Sequence, residues 1–104
     1  MANRYRGEIA AELGGAPRTL VLTLGALAEL ETALGADDLI ALSERFASGR
    51  LKARDLIAVL GAGLRGGGLP VSDDEVGRMA VPEGATGYVR IAAELIAATF
   101  GGDA

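Results

Sequence analysis

Apolar residues recur along this chain with two different periods, and the switch between them falls within Arg18 to Gly35. From Thr19 to Leu24 they alternate, with Leu20, Leu22 and Leu24 on one side and Thr19, Val21 and Thr23 on the other, the two-residue repeat of a half-buried strand. From Leu27 the spacing becomes three and four, through Leu30 and Leu34, with Glu29, Glu31 and Thr32 between, so these leucines share one helical face. A strand is therefore predicted to run almost directly into a helix. Upstream, after a polar lead-in over 1–7, Ile9, Ala11 and Leu13 alternate with Glu8, Ala10 and Glu12, which predicts a partner strand. Gly14, Gly15, Ala16 and Pro17 supply a turn between them, and the pair reads as an antiparallel hairpin. Such a hairpin is marginal alone in water, so its Ile9, Ala11, Leu13, Leu20 and Leu22 face requires helices laid over it.

Five helices are expected to provide that cover. The first spans about Gly25 to Leu34 and ends at Gly35, a residue type that tolerates the left-handed conformation past a helix end. Asp37 is placed to cap a second helix to about Ala47, with Leu39, Leu42 and Phe46 inward. A third runs from about Ala53 to Arg65 with Leu56, Ile57, Leu60 and Leu64 inward, and Gly66, Gly67 and Gly68 break it; Gly61, Gly63, Gly66, Gly67 and Gly68 form no phosphate loop and read as flexible connection. Ser72-Asp73-Asp74-Glu75 is a capping box that starts a short fourth helix carrying Val76 and Met79. The last helix, Gly84 to Phe100, has Tyr88, Ile91, Leu95 and Ala98 on one stripe and Val89, Ile96 and Phe100 on an adjoining one, with Gly101 and Gly102 closing it and Asp103 and Ala104 as a tail. The expected fold is one compact α+β domain over 1–104: an N-terminal two-stranded antiparallel hairpin followed by about five short helices. The alternative is a mostly α fold with helix pairs shaped like EF-hands.

Composition narrows the function more than the fold. The chain has 104 residues, 16 of them glycine, and its aromatic residues are two tyrosines and two phenylalanines, so the core must be built from closely packed aliphatic side chains. It has no cysteine and no histidine, which removes thiolate chemistry, disulfides, the usual zinc ligands and the side chain best suited to proton transfer near neutral pH. A net charge of −4 works against nucleic acid or an anionic membrane as a general partner. The amino terminus is polar and no apolar run approaches the roughly 20 residues that span a bilayer, so a cytoplasmic location is expected.

Candidate chemistry is correspondingly thin. Asp37, Asp38, Asp73, Asp74 and Glu75 all fall in predicted first turns, where negative charge suits the helix dipole without any catalytic role. An EF-hand alignment that puts Gly49 at the sixth loop place sets Phe46 at the third and Asp55 at the twelfth, and one at Gly87 offers Pro82, Gly84, Thr86 and Ala93, so neither supplies calcium ligands. Arg50, Lys52 and Arg54 between the second and third helices can be read as a helix-turn-helix aimed at DNA, but the third helix offers mostly Ala, Leu, Val and Gly where base-reading residues are needed. No catalytic set, cofactor site or metal site is expected.

Several local patterns, taken in order, are more specific. Asn3-Arg4-Tyr5-Arg6-Gly7-Glu8, Leu24-Gly25-Ala26-Leu27-Ala28-Glu29-Leu30-Glu31, Gly49-Arg50-Leu51-Lys52-Ala53-Arg54-Asp55, Gly61-Ala62-Gly63-Leu64-Arg65-Gly66-Gly67-Gly68 and Ala98-Thr99-Phe100-Gly101 resemble the small tail proteins of gene transfer agents and related siphophages, of tail tube or tail assembly chaperone type. The resemblance spans nearly the whole chain. It implies a prophage-like cluster and a non-enzymatic part in building a noncontractile tail: a chaperone that binds the tape measure protein and recruits tail tube subunits, or a structural tube component that stays in the particle. A homo-oligomer is open, and a small DNA-binding regulator is the reading from another class. Two surfaces suit a protein partner: the hairpin, with Thr19, Val21 and Thr23 opposite its leucines, and the last helix, with Tyr88 and Phe100 on its wide apolar band.

Overall fold

The computed structural model describes residues 2–49 and 51–101. Gly102, Asp103 and Ala104, expected as helix closure and tail, and Arg50 of the DNA reading lie outside the described residues. A short 3₁₀ turn at Arg4–Arg6 leads into β1 (Glu8–Leu13) and β2 (Ala16–Val21), followed by α1 (Leu24–Leu34), α2 (Leu39–Ala47), α3 (Ala53–Gly66), α4 (Asp73–Gly77) and α5 (Gly84–Phe100). This is the α+β arrangement of a hairpin and five helices rather than a mostly α fold.

β1 and β2 pair antiparallel from Glu8↔Val21 to Leu13↔Ala16. Only Gly14 and Gly15 make the turn, at φ +66° and +81°, a two-residue hairpin loop that needs positive φ at both places. Ala16 and Pro17, expected in the turn, belong to β2. The register puts Ile9, Ala11 and Leu13 on one face with Ala16, Arg18 and Leu20, and Glu8, Ala10 and Glu12 on the other with Pro17, Thr19 and Val21. Ile9, Leu13, Leu20 and, just past the strand, Leu22 are buried. Leu24 is not: it opens α1 and is 77% exposed, because Thr23 ends the extended run by accepting from the Ala26 N–H as the helix N-cap.

The helical cover is centred on α3. Its residues Ala58 to Leu64 form an unbroken buried run that touches α1, β2, α4 and α5. The expected inward positions Leu60 and Leu64 are fully buried, and Leu56 and Ile57 pack half-buried against the core. The glycines of this segment are not a flexible connection. A Cβ on Gly63 would sit 2.6 Å from Leu95 Cδ2 and 3.3 Å from Leu20 Cβ, so only glycine lets α3 lie this close to the sheet and α5. At Gly66 and Gly67 a Cβ would overlap the main-chain oxygens of Val21 and Thr19. The end of α3 thus seats its bare backbone on the edge of β2. Gly66 still belongs to the helix, which closes one residue later than its spacing suggests.

Two polar joints hold the remaining elements. Arg65 of α3 reaches Glu29 of α1 at 2.7 Å, and Asp73 of α4 and the Val71 carbonyl at 3.0 Å. At the other end of α3, buried Asp55 accepts from the Lys52 N–H at 2.9 Å and from Arg45 at 3.2 Å, while Arg45 also donates to the Leu34 carbonyl. Burial pushes the Asp55 carboxyl pKa up, but these hydrogen bonds and the charges of Arg45 and Lys52 outweigh it and hold the pKa below the ordinary value. The capping box Ser72–Glu75 is present as expected. Asp38, rather than Asp37, caps α2 by accepting from the Ala41 N–H.

Candidate partner-binding face

α2 and α5 bring together apolar side chains that the core does not absorb. In α2, Leu42 and Phe46 point inward, four residues apart. Leu39, expected beside them, is only partly covered, and Ile40, a further 100° round the helix, is 72% exposed. In α5, Ile91, Ala92 and Leu95 face the core. Val89 and Ala93 are exposed on its outer side, and Ile96, Ala97 and Phe100 continue the stripe half-buried. The rings of Phe46 and Phe100 meet at 6.1 Å between centroids and tilt 54°, which joins the two helices at their inner margin.

On one side of that ring pair lies a cleft of about 330 Å³ lined by Phe46, Leu51, Leu56, Val89, Ala93 and Ile96. On the other, a shallower depression of about 370 Å³ is lined by Leu39, Ile40, Ser43, Glu44 and Phe100. Both are lined largely by apolar side chains, and Glu44 is the charged residue in the lining of the second. Arg90 is paired with Glu83. A surface of this kind can take the apolar face of another chain.

The structure does not bring the five residues singled out from sequence together on one surface. Phe100 belongs to the face. Tyr88 lies on the other side of α5, half-buried, where its hydroxyl is within hydrogen-bonding reach of the Val76 and Met79 carbonyls and so ties α5 to the end of α4. Burial raises its pKa. Thr19 is exposed and Val21 half-buried on the outer face of the hairpin, while the Thr23 hydroxyl is occupied in capping α1. Ile40 was missed. The signal was present in adjacent Leu39 and Ile40, since two neighbouring residues cannot both lie on the Leu42–Phe46 stripe.

A second, polar cleft of about 480 Å³ contains Arg45, Lys52, Arg54, Asp55 and Asp73. Its central pair, Arg45 and Asp55, is already engaged in the joint between helices. The helix that would read DNA, α3, buries the run Ala58 to Leu64 and leaves no free face there for a groove. Among the described residues no group of three or more acidic side chains is placed to hold a metal ion, and no helix is long and apolar enough to cross a membrane.

An α+β domain with an open apolar face is the class these features define. The family model described as phage tail tube protein, GTA-gp10, matches residues 6–102, and the chain belongs to that family. It is a tail protein of the phage and gene transfer agent type. Neither the curated proteins nor the solved structures supply a match.

Proposed function

We propose that the protein is a non-enzymatic tail assembly chaperone that binds the tape measure protein, keeps it in solution and recruits tail tube subunits. The observation that carries this reading is the α2–α5 face, where Leu39, Ile40 and Val89 stand exposed beside the two apolar clefts, whereas the other exposed large hydrophobic residues, Tyr5 and Leu24, line neither. A partner with an amphipathic helix can lay its apolar stripe along Ile40, Phe100, Ile96 and Val89. The net charge of −4 favours keeping such a complex dispersed. On this reading the protein works in the bacterial cytoplasm and is left behind when the tail is complete.

The family description favours a second reading, a structural tube component that remains in the particle. Coexpression with the tape measure protein of the same cluster, followed by mass spectrometry of purified particles, separates the two. A chaperone yields a soluble complex and is scarce in particles; a tube component is present in many copies. A tape measure protein whose solubility is indifferent to this chain contradicts the chaperone reading.

A further inference from the structure

The two edges of the hairpin are not alike. A two-residue loop makes Leu13 and Ala16 a hydrogen-bonded pair, and the antiparallel alternation then pairs Ala11 with Arg18 and Ile9 with Leu20 in the same way. The main-chain groups of Glu8, Ala10 and Glu12 on β1, and of Pro17, Thr19 and Val21 on β2, therefore face outward. Two observations agree with this phase. Pro17, which has no N–H, falls at an outward position, where the ladder loses nothing. The Glu8 N–H donates away from β2, to the Asn3 carbonyl at 3.0 Å.

On β2 the outward edge is closed, because Gly67 and Gly66 cover the Thr19 and Val21 oxygens and Pro17 has no donor to offer. On β1 it is open. Among the described residues, the N–H and C=O of Ala10 and Glu12 make no hydrogen bond outside the β1–β2 ladder. The side chains beside these groups are Glu8 and Glu12, on the outer face of the sheet with exposed Ala10 between them. Their cross-strand neighbours are Val21 and Pro17, and neither carboxylate is in an ion pair among the described residues; Glu8 accepts one hydrogen bond, from the Asn3 N–H at 2.9 Å, which leaves its charge unpaired.

We propose that β1 is a docking edge for an extended segment of a partner protein that carries Lys or Arg at alternate positions and adds to the sheet as a third strand beside β1. The free main-chain groups of Ala10 and Glu12 supply the ladder, and Glu8 and Glu12 select the charge. A second copy of this chain is a poor occupant, since antiparallel β1–β1 pairing brings the acidic rows of both copies together, and like charges across strands are unfavourable. The edge is separate from the α2–α5 face and does not depend on the function proposed for that face.

The test uses the isotopically labelled full chain and two six-residue peptides, one alternating lysine with threonine and one alternating glutamate with threonine. At saturation the lysine peptide slows amide exchange at Ala10 and Glu12 by about tenfold or more, as expected for amides drawn into a ladder, and leaves Thr19 and Val21 unchanged. The glutamate peptide leaves all four amides unchanged. Glu12→Lys, at an exposed position, weakens the lysine peptide by about fivefold or more, the scale of one cross-strand charge pair made unfavourable. Equal binding of the two peptides, protection that maps to β2 or to α2 and α5, or no change at Ala10 and Glu12 overturns the proposal.

Discussion

α2 and α3 follow one another in the chain and both have an apolar stripe, yet the molecule uses them in opposite ways. α3 buries Asp55 and every residue from Ala58 to Leu64, whereas α2 buries Leu42 and Phe46 alone. The difference lies in backbone approach. Glycines at 61, 63 and 66 let other elements reach the surface of α3 itself, so its packing is set by main chain as much as by side chains. α2 has no glycine within it and is held by packing on α1, the Phe46–Phe100 ring contact and the Arg45–Asp55 joint, with Leu39 and Ile40 left toward solvent. One helix specifies the fold; the other offers a surface.

The comparison is broken first at α3. Leu60 is fully buried, so Leu60→Ala should cost about 2–5 kcal/mol in denaturant unfolding, while Leu39→Ala in α2 should cost under about 1 kcal/mol. Equal losses at both positions would remove the distinction. Gly66→Ala should cost about 1–3 kcal/mol, because the new methyl meets the Val21 carbonyl rather than a side chain that can turn away. A neutral result there would mean that β2 is not seated against α3.

Asp55 sharpens the comparison, since it sits where α2 is fastened to α3. Its carboxyl pKa is lower folded than unfolded, so its contribution is complete above the ordinary value of 3.8 and is lost as pH falls through the folded value. Asp55→Asn should therefore destabilise by about 2 kcal/mol at pH 7, and the gap to the wild type should narrow below pH 3.8. A gap that is constant with pH would show that the charge is not what fastens the joint. The smallest stability effect belongs to Ile40→Ser, within about 0.5 kcal/mol of wild type, although the proposed function requires it to weaken partner binding.

Much of the fold was legible from spacing. The strands, the α5 limits Gly84 and Phe100 and the Ser72 capping box all follow from local rules of periodicity and capping, which act within a turn or two of the chain. Boundaries decided by a single polar atom were harder. Thr23 continues the alternation of β2 and also suits a helix N-cap, and only the direction its hydroxyl takes decides between them. Asp37 and Asp38 are interchangeable by composition, and the fold uses Asp38. The glycines were misread for a different reason: glycine required by space and glycine required by a turn look the same in sequence, and contact with β2 is a tertiary fact. Of the candidate site, Phe100 and Val89 were visible as part of a wide apolar band, but the band acquires its second wall from α2, whose rotation about its axis no local pattern settles.

The measurement closest to the central claim is amide hydrogen exchange of the free chain against its complex with the tape measure protein of the same cluster. The account predicts slowed exchange through α2 and along the outward turns of α5 at Val89, Ala93 and Ile96, with Ala58 to Leu64 of α3 unchanged because that run is already buried in the free chain. Unaltered exchange in α2 and α5 on complex formation would contradict it.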